Sequence, residues 1–260
     1  MGICAQTVNP KLVSAGRSGA FKRNSLYGNP ATREGRIKGG INAILAIKNN
    51  PRTNFTIAKE FVKPIRSSEL AEFLGIVLGD GSVSDYQVKI YCNSMHDYDY
   101  ALFIRTLINN TLGLDVAIHN RVKNTLELVV SSVKLVKFLN DQGIYSGNKI
   151  LNKSVVPGWV KTSCDYMKSC LRGLMDTDGS IYFHNHVTKG YQYRNPVLCF
   201  TSHSEAILHS VNEIFSDLGF NVKNSRAQDR IFIYNCDEII KYRDLIGSSN
   251  PYFLNRLKSF

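Results

Sequence analysis

FLGIVLGDG, residues 73–81, and LRGLMDTDG, residues 171–179, decide how this chain folds. Each closes a stretch with amphipathic helical spacing, Ser68–Gly81 and Asp165–Gly179, and runs it into an acidic turn. The segments after each turn match as well. Gln87–Asn93 and Val197–Thr201 alternate as strands, and helical periodicity then runs through Leu102, Phe103, Ile108 and Leu112 and through Ile207, Val211, Ile214, Phe215 and Leu218. Both helices meet a Leu-Gly, with Gly113 and Gly219 suited to the C′ position. A further strand, Thr125–Ser131 or Arg230–Tyr234, and a last helix, Val133–Gln142 or Asp237–Leu245, complete each copy before Gly143 or Gly247. Five matched segments in one order make an internal repeat. The expected fold is α+β, with two pseudo-symmetric αββαββα halves at residues 67–160 and 161–260.

An Asp-Gly alone is an ordinary turn. Here each Asp closes a helix, where the negative end of the macrodipole disfavours a carboxylate by a few tenths to about 1 kcal/mol. Gly75 with Gly79, and Gly173 with Thr177, are small residues at i, i+4, which lets two helix backbones approach side by side. Helices abutting in parallel would deliver Asp80 and Asp178 together, and two close carboxylates do not both ionise cheaply without a counterion. A hard divalent cation with oxygen ligands, Mg²⁺ or Mn²⁺, meets that need and brings the Lewis acidity and acidified water that phosphodiester hydrolysis uses.

Composition bounds the partners. The chain has 260 residues, 43% hydrophobic, with no apolar run near the roughly 18 residues of a membrane span. Its six cysteines are scattered, which suits reduced thiols in an intracellular protein. The net charge of +11 points to a polyanion, either nucleic acid or an anionic membrane surface. Residues 1–66 hold twelve Lys and Arg against Glu34 and Glu60, so ten of those net charges fall there. Residues 1–30 show no helical or strand period, and 33–48 read as a short helix interrupted by Gly39 and Gly40. A partly disordered basic arm at 1–66 is the expectation, and a solvated tail, a DNA-tracking arm and an organelle transit peptide all fit it. The opening Met-Gly lacks a myristoylation pattern because Gln6 stands where Ser or Thr is needed.

At Phe73–Gly81 and Leu171–Gly179 the chain resembles the LAGLIDADG family of homing endonucleases, over roughly residues 67–250, and its two copies resemble the single-chain, monomeric members. The second copy keeps both motif acids, Asp176 and Asp178, whereas the first has Leu78 at the earlier acidic place. The resemblance implies a β-saddle in the DNA major groove, cleavage of both strands across the minor groove, and Asp80 and Asp178 as metal ligands with Gly79 and Thr177 beside them. It also implies a basic residue after the last helix of each half, which Lys149 supplies in the first. In the second, Asn250 precedes Pro251, leaving Arg256 or Lys258 as substitutes and unequal strand cutting open. The stretch from Gly28 to Gly40, with Arg36 and Lys38, is similar to the basic leader of some prokaryotic members.

Donors able to read base edges or touch phosphate are Gln87, Lys89, Asn93, Arg121 and Lys123 in the first half. Gln192, Arg194, Thr201, Arg226 and Arg230 are their counterparts in the second. His184 and His186 alternate on a strand and read as DNA contacts rather than half of a metal site. Register decides which of these share a face, since a slip of one residue inverts every choice. The resulting reading is a site-specific, metal-dependent endonuclease for double-stranded DNA with a long target. The rival is a non-cleaving DNA- or RNA-binding regulator or intron-splicing maturase on the same fold. No membrane association is expected, and the location is cytoplasmic, nucleoid-associated in a prokaryote, or organellar. A start at Met1 argues for an intron or free-standing gene over an intein.

Overall fold

The computed structural model describes residues 10–28, 32–49, 61 and 63–259. The chain divides into two compact units, residues 1–58 and 59–260. In the first, α1 (Pro10–Tyr27) and α2 (Arg33–Lys48) form a helical hairpin. The Asn42 amide donates to the Leu26 carbonyl (2.9 Å) and Lys38 Nζ to the Ser25 carbonyl (3.3 Å). This differs from the sequence expectation in two ways. Residues 10–27 are helical although no apolar stripe marks them, because basic, Ser and Gly residues are spread around that helix and leave no period to read. α2 also runs unbroken through Gly39 and Gly40, which at about 1 kcal/mol each weaken a helix without ending it. Residues 1–9 and 29–31, and with them Gly2, Gln6 and part of the leader-like stretch, lie outside the described residues.

The second unit is built on α3 (Ser68–Leu78) and α6 (Cys164–Asp178), packed against each other. Ser67 and Ser163 cap their N-termini through side-chain oxygens. A Cβ on Gly75 would collide with the Cys170 carbonyl, and one on Gly173 with the Glu72 carbonyl and the Ile76 amide. Only glycine permits this approach at either place; the reciprocal contacts (75 on 170, 173 on 72) show a pseudo-dyad, and Gly79 against Thr177 further on shows that the helices run parallel. Glu72 reaches across the pair to Arg172, which donates from Nε (3.0 Å) and Nη2 (2.6 Å).

Each half then adds a four-stranded antiparallel sheet. In the first, β1 (Gly81–Val83), β2 (Gln87–Asn93), β3 (Ala117–Arg121) and β4 (Thr125–Ser131) stand in the order β1-β2-β4-β3. The second repeats this as β5 (Gly179–Thr188), β6 (Tyr191–Thr201), β8 (Arg230–Ile233) and β7 (Lys223–Asn224). α4 (Tyr98–Leu112) and α7 (Glu205–Asp217) come after β2 and β6, and α5 (Val133–Asp141) and α8 (Cys236–Leu245) after β4 and β8. Gly113 and Gly219, as expected, take left-handed φ of 63° and 74° just beyond α4 and α7. One continuous core runs through both halves, and in it Val88, Ile90, Leu126, Leu128 and Val130 turn one face of the first sheet onto the helices. The other face is left open. A final helix, α9 (Pro251–Lys258), extends the second half beyond the repeat, with Asn250 capping it and proline in its first turn.

Candidate catalytic centre and nucleic-acid interface

The parallel helix pair delivers its two acidic ends together. α3 finishes at Leu78 with Gly79 as its C-cap, and α6 runs to Asp178. A Cβ on Gly79 would lie 3.2 Å from Asp178 Oδ2, so the first motif's turn abuts the second motif's carboxylate. Burial first, and then the neighbouring Asp80, push the Asp178 carboxyl up to about 7, with Lys149 opposing. Crowding by surrounding protein also raises Asp80, although its surface stays open to solvent, with Lys149 opposing and Asp97 adding.

Lys149 comes from the loop after α5, where Asn148 accepts from the main-chain amides of Ile150 and Leu151. Its ammonium donates to the carbonyls of Leu78 (2.9 Å) and Gly79. Burial lowers its pKa, and Asp178 and Asp80 pull it back up. The end of the helix pair is therefore already a cation site: main-chain carbonyls and two carboxylates converge on one positive charge. All the donors are oxygens, which fits a hard divalent ion. No group of three His, Cys, Asp or Glu side chains able to hold a metal is present among the described residues, so carbonyls and water would have to complete the shell. Thr177 stands against Gly79, its hydroxyl donating to the carbonyls of Gly173 (3.1 Å) and Leu174 (2.9 Å) within its own helix. An open hollow of about 340 Å³, lined by Lys149, Asp178, Thr201 and His203 among others, leads from this centre towards the second sheet.

The second half does not repeat the lysine. Where it would stand, Asp176 gathers the chain leading into α9, accepting from Ser248 Oγ (2.5 Å) and from the amides of Ser249 (2.8 Å) and Asn250 (3.1 Å). Burial pushes the Asp176 carboxyl to about 7 despite these donors. Asn250 Nδ2 in turn donates to Asp97 (2.9 Å). Arg256 donates to the Ile181 carbonyl and lies by the Tyr252 ring, and Lys258 ends α9, so neither replaces Lys149. Sequence reasoning missed Asp97 and the capping role of Asn250; an Asn-Pro pair at a helix start is the signal that could have found the latter.

Register sorts the DNA-contact candidates. Pairing of Lys89 with Val129, Tyr91 with Glu127, and Asn93 with Thr125, itself paired with Arg121, puts Gln87, Lys89, Asn93 and Arg121 on the open face of the first sheet. Lys123 lies in the β3–β4 turn with φ 61°. On the second sheet, His184, His186, Tyr193, Thr201 and Arg230 share the open face, and His186 stacks on both His184 and Tyr193 (5.4 Å each). Gln192 and Arg194 need correcting, because β6 turns them to the opposite face, where Arg194 lies 3.9 Å over the Phe183 ring. Arg226 is exposed in the β7–β8 connection. Arg36 and Lys38 are exposed on α2 in the first unit. No helix among the described residues is long and apolar enough to cross a membrane.

The LAGLIDADG-like domain family matches residues 165–247. I-SmaMI, solved on an uncleaved DNA target in the presence of calcium ions, superposes with a TM-score of 0.52 at 10% identity, covering 74% of this chain and 89% of that one. The I-LtrWI LAGLIDADG homing endonuclease bound to target DNA gives 0.50 at 14% identity, over 74% and 90%. Full-length DUF199/WhiA from Thermatoga maritima gives 0.47 at 16% identity, over 75% of this chain but only 62% of that protein. At these identities the likeness to I-SmaMI and I-LtrWI shows the fold alone. The curated proteins gave no sequence match.

Proposed function

We propose, from the match of residues 165–247 to the LAGLIDADG-like domain family, that the chain is a site-specific endonuclease for double-stranded DNA. The observation that carries the proposal is the convergence of Asp80, Asp178 and Lys149 at the end of the parallel helix pair. Two carboxylates at the ends of separate helices, crowded enough to raise both pKa values, are costly in a merely structural protein and useful in a metal-dependent one. That a protein of this fold is held on uncleaved DNA with calcium present supports duplex DNA as partner and a divalent cation, Mg²⁺ or Mn²⁺, as cofactor.

Asp80 and Asp178 would hold the cation with the Gly79 carbonyl and the Thr177 main chain. A bound divalent ion supplies charge stabilisation at phosphorus and a more acidic water. With a cation bound at this end of the helix pair, Lys149, which now donates to the Leu78 and Gly79 carbonyls, would be free to reach a phosphate oxygen. The open sheet faces of the two halves hold the duplex, Gln87, Lys89, Asn93 and Arg121 under one half and His184, His186, Thr201 and Arg230 under the other. With one lysine serving two carboxylates, the strands are cut at unequal rates. A single chain containing both halves acts as a monomer.

The test is the combined Asp80→Asn and Asp178→Asn variant on a duplex selected by the wild type. Cutting should vanish while binding stays within a few-fold. Full cutting by that variant would remove the carboxylates from the chemistry, and a wild type that binds tightly without cutting under Mg²⁺ or Mn²⁺ would favour a regulator or maturase.

A further inference from the structure

Across the eight strands of the described residues there is one acidic residue, Glu127. It stands in the middle of the open face of the first sheet, between Tyr91 on β2 and His119 on β3. Acids are otherwise excluded from both sheets, as a surface meeting phosphate requires. The strands of the second sheet contain none, so the fold does not need a carboxylate there.

Glu127 is 4% exposed because two cations cover it. Lys89 Nζ lies 2.7 Å from Oε1, and Arg121 reaches Oε2 from Nη2 (2.5 Å) and Nε (2.7 Å). These hydrogen bonds, Lys89 first and then Arg121, hold the Glu127 carboxyl below its ordinary range, so the negative charge persists at working pH. Both its oxygens are engaged, which leaves it unsuited to accept directly from a cytosine amine. Arg121 is different, with 55% of its side chain exposed. Its Nε–Nη2 edge is spent on Glu127, and the Nη1–Nη2 edge of the same planar fork remains for a bidentate acceptor. Guanine presents that acceptor pair, O6 and N7, in the major groove.

A free arginine on this face would settle on the nearest phosphate. We propose that Glu127 is a positioning residue that holds Arg121 off the backbone and aims it at a guanine in the half-site beneath the first sheet. The inference rests on the reading of this chain as a site-specific DNA protein. It carries a distinctive sign: removing the carboxylate takes negative charge off a DNA-facing surface, so affinity for random duplex should rise while discrimination falls. A merely structural glutamate would lower both.

The experiment selects binding sites from a random duplex library with the full chain as wild type, Glu127→Gln and Arg121→Lys, and measures affinity for the unselected library alongside. The wild type should enrich a guanine that both variants lose, a preference falling on the order of tenfold or more at that base pair and little elsewhere. Glu127→Gln should bind the unselected library at least as tightly as wild type. Arg121→Lys, a change at an exposed side chain, keeps the charge without the fork and guards against misfolding of the first variant. Unchanged base preference in both variants, or weaker binding of Glu127→Gln to the unselected library, would overturn the proposal alone. A wild type that enriches no motif would overturn it together with the reading beneath it.

Discussion

Replacing Asp178 with asparagine should stabilise the protein, and only where the aspartate would be charged. The carboxyl is held at about 7 against an ordinary 3.8, chiefly by burial and then by Asp80. Three units at 1.36 kcal/mol each set a ceiling of about 4 kcal/mol on the cost of the ionised form. Asp178 is half-buried, and solvent screening brings the usable figure to about 2 kcal/mol. The folded state binds this proton more tightly than the unfolded state, so the group's stabilising contribution is complete below about pH 4 and is lost as pH rises towards 7. Asparagine keeps the shape without the charge. In urea unfolding with EDTA, Asp178→Asn should match wild type near pH 4 and exceed it by about 2 kcal/mol at pH 8. Adding Mg²⁺ at pH 8 should close or reverse that gap by stabilising wild type, by about 2.7 kcal/mol at a hundred times the dissociation constant. A gap independent of pH, or an asparagine variant less stable at pH 8, would refute the electrostatic account of the paired ends.

Other parts of the molecule give three further expected outcomes. Gly173→Ala would drive a Cβ into the Glu72 carbonyl and Ile76 amide of the partner helix, and should lower stability in urea by at least 1–3 kcal/mol, the usual range for overpacking; an unchanged midpoint would contradict the close approach. Lys149→Met should slow single-turnover cutting on the order of a hundredfold or more, as loss of an oxyanion donor does, with duplex binding reduced far less; equal losses in both would make Lys149 a binding residue only. Removing residues 1–58 should flatten the dependence of duplex affinity on salt, by about 0.9 in logarithmic slope for each phosphate that the basic hairpin neutralises, and an unchanged slope would show that it touches none.

What the sequence conveyed divides along physical lines. The helix pair and strands β2 and β4 were legible because burying one face imposes a period, and because small residues must recur where backbones touch. The meeting of Asp80 with Asp178 followed from that packing. α1 was invisible because a helix without an apolar stripe has no period. Gln192 and Arg194 were grouped with Thr201 although strand alternation puts even and odd positions on opposite faces, and parity alone separated them. Asp176 is a motif acid by position, but only the path of the chain after α8 shows that it fastens the start of α9. The clamp of Lys89 and Arg121 on Glu127 depends on the strand order β2-β4-β3, which no local pattern reports.

The most direct measurement is to map breaks on both strands of the selected duplex after incubation with the full chain and Mg²⁺. The account predicts staggered breaks within one site on the two strands, one strand leading the other, abolished by EDTA and by Asp80→Asn. Breaks that persist in EDTA, or none on a duplex that the protein binds tightly under both Mg²⁺ and Mn²⁺, would contradict it.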